Sequence, residues 1–351
     1  MNGVDLIPRP ESLQVPSLVF RILLTITFLL HLFLMNIALG GSILNAVYRL
    51  RRKEIAPASS NLPTTIALAV NLGVPPLLFV QVLFGQFFYT SSVLMATYWL
   101  AVVPLLILAY YAAYLMRGKG ARAGAAWSAV SAFLLLAIAF IYVNNMSLML
   151  RYGRWPLYFA DKRGLMLNLS DPTLFPRFFH FVIGALAGAS ISWSAWAHFR
   201  DKRGRGSDDF AKAAGLRLFW IFTSIQMLAG LAWLGTLPVE AKRLFMGGSA
   251  YATTLLLVGV LLAVGLLAHA IMGKFKIAAI ILVPVMIVMV LMRDVIRSSA
   301  LSEVFSAEAL EVEPQYGPLA LFVGVFAVGI GVLAWMIKAA FKPSGTAGGS
   351  K

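Results

Sequence analysis

The sequence predicts an all-α integral membrane protein with nine transmembrane helices, its N-terminus periplasmic and its C-terminus cytoplasmic. Three observations predict it. Of the 351 residues, 60% are hydrophobic and 12% charged, about half the charged share of a soluble chain, and the mean hydropathy is +0.84. Nine apolar stretches reach the roughly 20 residues that a bilayer crossing needs. Lys and Arg are distributed unequally between alternate loops, as they are around membrane spans.

The spans fall at about 18–47, 64–87, 93–115, 124–145, 175–198, 214–236, 250–272, 277–293 and 318–338. The first is long enough to tilt, and the eighth is short. Pro75, Pro76, Pro104 and Pro284 lie inside spans and are expected to kink them, which membrane helices tolerate. Residues 1–17 form an outer N-terminal segment. Asp5 and Glu11 within it, the length of the apolar run that follows and the lack of an A-x-A site argue against a cleavable signal peptide.

The loops set the orientation. Eighteen Lys and Arg fall on the side of the C-terminus and ten on the side of the N-terminus, with Arg21 inside the first span. The richer side is the cytoplasmic one, and the chain is expected in the bacterial inner membrane. The net charge of +15 is thus mostly topology, and nucleic acid is not an expected partner. On the outer side, 294–317 is acidic (Asp294, Glu303, Glu308, Glu311, Glu313). Residues 146–175 mix basic and aromatic side chains (Arg151, Tyr152, Arg154, Trp155, Tyr158, Phe159). That mixture suits the lipid headgroup zone or a docking surface, and an interfacial anchor is the plainer reading. The Gly/Ser-rich tail, 342–351, reads as flexible.

Ionisable residues inside a span are costly and default to functional candidates. Within these boundaries no Asp or Glu lies in a hydrocarbon core, which argues against a proton pump or a carboxylate-based cation transporter. There is no cysteine. This excludes disulfides, iron–sulfur clusters, thiolate metal sites and covalent c-type haem attachment. Four histidines remain: His31 in mid-span, His180 near the outer end of the fifth span, His198 at its inner end, and His269 near the inner end of the seventh. Their spacing lacks the H-x-x-x-H or H-E-x-x-H of a zinc site. Imidazole is a common axial ligand of haem iron. His180 and His198 are 18 residues apart, five helical turns on one face and about 27 Å, close to the thickness of the bilayer core. Arg177, just before His180, suits a haem propionate. Structural readings stand beside these: an interhelical hydrogen bond for His31, and a solvated interfacial site for His198 and His269. Gly184 and Gly188 form a G-x-x-x-G that permits close helix approach or leaves space for a flat macrocycle.

At these residues the chain resembles subunit I of the cytochrome bd quinol oxidases, over roughly 17–205. Arg21, His31 and Leu39-Gly40 match that family's first helix, in which an Arg precedes a haem-ligating His by ten residues. Asn71 and Phe84-Gly85 are similar to the second helix, and Val143-Asn-Asn-Met146 to the end of the fourth. Pro176-Arg-Phe-Phe-His180 through Phe199-Arg-Asp-Lys-Arg203 is similar to the fifth, with its haem-ligating His and Arg-Asp exit. The resemblance implies a bundle at 18–205 that binds one or more haems b, followed by four further helices at 206–341. It implies iron ligation by His31 and His180. Beyond the family's pattern, His198 and His269 are a hypothetical bis-His pair, and Arg21 and Arg177 are expected as cofactor-binding residues. Three features depart from the family: no carboxylate from Met95 to Leu106, only about 237–249 in place of the large quinol-binding loop, and no Met from Ala250 to Ala270. The residues for oxygen reduction are thus missing. The expected function is a b-type haem subunit exchanging electrons between the quinone pool and partner redox proteins, c-type cytochromes above all, in a respiratory complex. The alternative is a haem-free membrane anchor or scaffold of such a complex. A transporter is the third class, and the missing intramembrane acids argue against it.

Overall fold

The structure is a computed structural model that describes residues 2–52, 61–204, 206 and 208–340. Lys53, Arg205, Lys342, Lys351 and the 342–351 tail lie outside the described residues. Ten α-helices follow in order: α1 (Ser17–Arg52), α2 (Leu62–Leu94), α3 (Ala96–Leu115), α4 (Ala121–Met149), α5 (Leu174–Lys202), α6 (Asp209–Thr236), the short α7 (Val239–Arg243), α8 (Ala250–Ile271), α9 (Phe275–Leu301) and α10 (Tyr316–Ala340). Among the described residues, nine of them, all except α7, are long and apolar enough to cross a membrane. The seventh, eighth and ninth spans are therefore α8, α9 and α10.

The helices overrun the apolar stretches. Hydropathy stops at the first charge, whereas backbone hydrogen bonding continues until a cap ends it. At the start of α6 the Asp208 side chain accepts from the Ala211 N–H at 2.9 Å, and at the start of α8 the Ser249 side chain accepts from the Ala252 N–H. The largest overrun is α9, which continues to Leu301 rather than stopping near 293. Asp294 and Arg297 are therefore helical, not loop residues. The kink in α2 also differs from expectation. The backbone leaves helical geometry at Phe84 (φ −136°, ψ 30°), two turns past Pro75 and Pro76.

Helix α1 is the hub, packed against α2, α4 and α5, while α5 pairs with α6 and α8 with α9. The approach of α1 to α5 requires a glycine: a Cβ on Gly40 would lie 2.0 Å from the Ala185 carbonyl oxygen. Helix α10 stands apart and meets the bundle through Phe322, edge-on to Phe79 at 5.0 Å. Exposed apolar side chains such as Leu100, Phe133, Leu261 and Leu321 form the surface that faces lipid.

The face carrying the N-terminus is closed by protein. Leu13 and Gln14 pair with 311–315 through Leu13 N–H to Glu311 O, Glu313 N–H to Leu13 O and Gln315 N–H to Gln14 O, each 2.8 Å. The 3-10 turn Tyr152–Ala160 drives Trp155 into the core. It is fully buried, its Nε1–H donates to Leu148 O at 3.1 Å, and its ring lies 6.1 Å from Phe87. This corrects one part of the interfacial-anchor reading: Trp155 packs against protein, while Leu157 and Phe159 stay exposed.

The same segment anchors the start of α5. Asp171 accepts from Ser147 Oγ at 2.8 Å, Arg151 Nε at 3.1 Å, and the Thr173 N–H and hydroxyl at 2.9 and 2.8 Å. Burial pushes the Asp171 carboxyl up, but these donors outweigh it and hold it down at about 2. A carboxylate held below its ordinary value stabilises the fold above that ordinary value, and the contribution is lost as pH falls toward 2. Asp171→Asn is therefore expected to cost on the order of 2 kcal/mol, read as a lower melting temperature at pH 7. The gap from wild type should close on acidification, and a pH-independent gap would contradict the assignment.

Candidate functional site

A cavity of about 290 Å³ lies between α1, α5, α6, α8 and α9. Its walls come from both sides of the 205/206 boundary drawn on the sequence. Small residues leave the space: Gly184 and Gly188 on α5, Gly230 on α6 and Gly259 on α8. A Cβ on Gly230 would stand 3.2 Å from His180 Cε1, and one on Gly184 3.1 Å from Gln226 Nε2. The G-x-x-x-G of α5 thus borders open volume, although a Cβ on Gly188 would also press on Asn36 of α1 at 2.9 Å.

His180 projects into this cavity and is buried. Its Nε2 lies 3.0 Å from the Gln226 amide nitrogen, and its Nδ1 has no partner. With the amide as placed, nitrogen donates to Nε2 and the proton sits on Nδ1. Turning the amide by 180° swaps oxygen for nitrogen without changing its shape. Nε2–H then donates to Oε1, and Nδ1 offers a free lone pair. Trp233 flanks the imidazole, ring centroids 5.5 Å apart, and the Arg177 guanidinium lies over the same indole at 5.4 Å. Met286, Met289 and Met292 of α9 also line the cavity and supply thioether sulfurs, a ligand type that haem iron accepts.

Buried polar atoms without a partner concentrate here. His180 Nδ1, Gln226 Oε1, Trp233 Nε1 and Arg177 Nε all belong to residues lining this cavity or the small one that adjoins it, as does Arg297 Nη1, whose ion pair with Asp294 at 3.6 Å is too long for a hydrogen bond. A buried polar atom left unpaired costs about 1–3 kcal/mol, so such a cluster makes this cavity the candidate site for a ligand that would complete the bonding. An imidazole with one unpaired nitrogen, thioethers in the same lining, guanidiniums at one end and glycines along the walls are residue types that could hold a haem. Among the described residues no group of three or more His, Asp or Glu is placed to hold a metal ion.

The other histidines lie elsewhere. His31 faces α2, where its Nδ1–H donates to Ala69 O at 2.8 Å and Gly73 gives its ring room. His198 Nδ1–H donates to Ser194 O and His269 Nδ1–H to Gly265 O, both at 2.8 Å. Each of the three thus keeps Nε2 as the acceptor, the tautomer of a metal-ligating histidine braced by a carbonyl. None of them lines the cavity. His198 is stacked on Phe275 at 4.7 Å. Arg21 pairs with Asp294 at 3.3 Å and Glu308 at 2.7 Å, which ties α1 to α9 and to the segment after it.

Sequence reading passed over Gln226 as a possible ligand partner, and over Trp233, Arg293 and Arg297. One signal was available: Met286, Met289, Met292, Arg293 and Ile296 recur at helical spacing, and all of them line the cavity. No known protein family, curated protein or solved structure matches the chain.

Proposed function

We propose that the chain is a b-type haem membrane subunit that passes electrons between the quinone pool and partner redox proteins. The observation that carries this reading is the cluster of unpaired polar atoms around His180, set in an otherwise apolar cavity between the spans. Bound there, haem supplies a one-electron carrier within the bilayer core. The protein's part is to hold the His180 imidazole, brace it through Gln226, and exclude water with the apolar walls. Trp233 and the burial of the ring set a low-dielectric surrounding, one of the levers on potential.

His31 belongs to this proposal as a second ligand, on the strength of its braced tautomer and of the resemblance to cytochrome bd subunit I. His198 and His269 are proposed as ligands on the C-terminal side. The basic bias of the loops supports an N-terminus outside and a C-terminus inside the bacterial inner membrane. The chain carries no cysteine, so covalent haems and clusters belong to partner chains, with c-type cytochromes as the proposed donors or acceptors.

Purified protein is expected to show a Soret band, a dithionite-minus-oxidised α-band and haem b in the pyridine haemochrome assay. Protein free of haem that still co-purifies with cytochromes would replace this reading with that of a scaffold.

A further inference from the structure

The N-terminal end of the cavity opens into a second, narrow space of about 20 Å³, with Phe181, Trp233, Arg293 and Ile296 shared by both. This volume holds little more than one water or one carboxylate oxygen. Three guanidiniums line it: Arg177 from α5, and Arg293 and Arg297 from α9. Arg177 is 8% exposed and Arg297 4%, and Arg177 Nε and Arg297 Nη1 lack hydrogen-bond partners. Aromatic faces support them. Arg177 lies over Trp233 at 5.4 Å, Arg293 over Phe28 at 4.4 Å and Arg297 over Phe84 at 4.8 Å.

The protein's own anions do not balance this charge. Asp294 lies 3.6 Å from Arg297 and is shared with Arg21, which also takes Glu308. Asp171 is committed to Arg151. Arg21, Arg151, Arg177, Arg293 and Arg297 thus face Asp171, Asp294 and Glu308, an excess of two positive charges. Arg177 and Arg293 make no ion pair within 4 Å among the described residues. Charges of one sign held together inside a bundle are costly unless an anion joins them.

We propose that Arg177, Arg293 and Arg297 clamp the anionic end, carboxylate or phosphate, of an amphiphile whose apolar body occupies the cavity. Under the haem reading, on which this form of the proposal rests, a propionate would supply that anion, one of its oxygens filling the narrow space. An anionic lipid headgroup carries the same chemistry. The site selects its ligand by charge at one end and by apolar shape below it. Guanidinium forks suit both oxyanions.

The test uses the full chain purified in mild detergent as wild type, Arg293→Gln, Arg293→Lys and the double variant Arg177→Gln/Arg293→Gln. Each is assayed for haem per chain, for the haem midpoint potential, and for co-purifying phospholipids by mass spectrometry. Circular dichroism and thermal melting identify variants that stay folded. Wild type is expected to retain about one anionic amphiphile per chain. The double variant should lose it by roughly tenfold or more, the scale of lost charge-assisted bonds. Arg293→Gln should shift the midpoint of any retained haem, and Arg293→Lys should restore most of the retention. Haem-free wild type that holds an anionic lipid, lost in the folded double variant, would sustain the clamp and overturn the haem reading. Haem whose content and midpoint do not move in folded variants would overturn the clamp and leave the haem reading standing. Wild type that retains neither haem nor an anionic lipid overturns both.

Discussion

His180→Ala is expected to abolish the Soret absorbance contributed by the cavity and to leave the chain folded. The side chain is buried on α5 against α6, and among the described residues its one hydrogen bond is to Gln226, so under the haem proposal truncation removes the iron's ligand. Circular dichroism should keep its helical signal, and size-exclusion chromatography its monodisperse peak. Gln226→Ala separates ligation from bracing. Loss of the group that orients a ligating histidine costs about 10–100-fold in affinity, so this variant should purify with partial haem that external haemin restores. Exogenous imidazole should restore a band to His180→Ala if the vacated space faces iron. Full haem content in His180→Ala would move the cofactor to His31, His198 or His269 and remove the cavity from the proposal.

Trp155→Ala is expected to be the most destabilising single truncation on the N-terminal face, at about 3–5 kcal/mol. The indole is completely buried among Phe87, Leu83, Phe84 and Leu148, and its N–H holds the last turn of α4. Removing it opens a void and frees the Leu148 carbonyl. The measurement is thermal unfolding in one detergent against Trp155→Phe, which keeps most of the volume and loses only the hydrogen bond. A lipid-facing anchor would behave differently, with both variants melting near wild type and only bilayer affinity changing. The two outcomes distinguish a packed core residue from the anchor suggested by composition.

The difference between these two positions shows what a sequence conveys. The spans were legible because hydropathy is a local property, and nine apolar runs became nine candidate spans. The ends were less legible. Asp294 and Arg297 read as loop because charge ends an apolar run, yet both lie in α9, which continues to Leu301. His180 was legible as a candidate because an ionisable side chain in a span is costly wherever it points. Whether it met a cavity or a neighbouring helix was not legible. That depends on Gly230 of α6 and Gly259 of α8, far away in the chain. His31 illustrates the converse, because the same residue type at mid-span faces Ala69 of α2 rather than the cavity.

The sequence by itself determined that this chain is helical and apolar, that its basic residues favour one set of loops, and that four histidines are its only imidazoles. These follow from composition and order, and no packing alters them. The tertiary structure alone decided which side chains share one space. Polar atoms without hydrogen-bond partners from α5, α6 and α9 converge there because glycines on α5, α6 and α8 leave space at one level. Convergence of that kind is set by contacts between distant segments, which local periodicity does not encode.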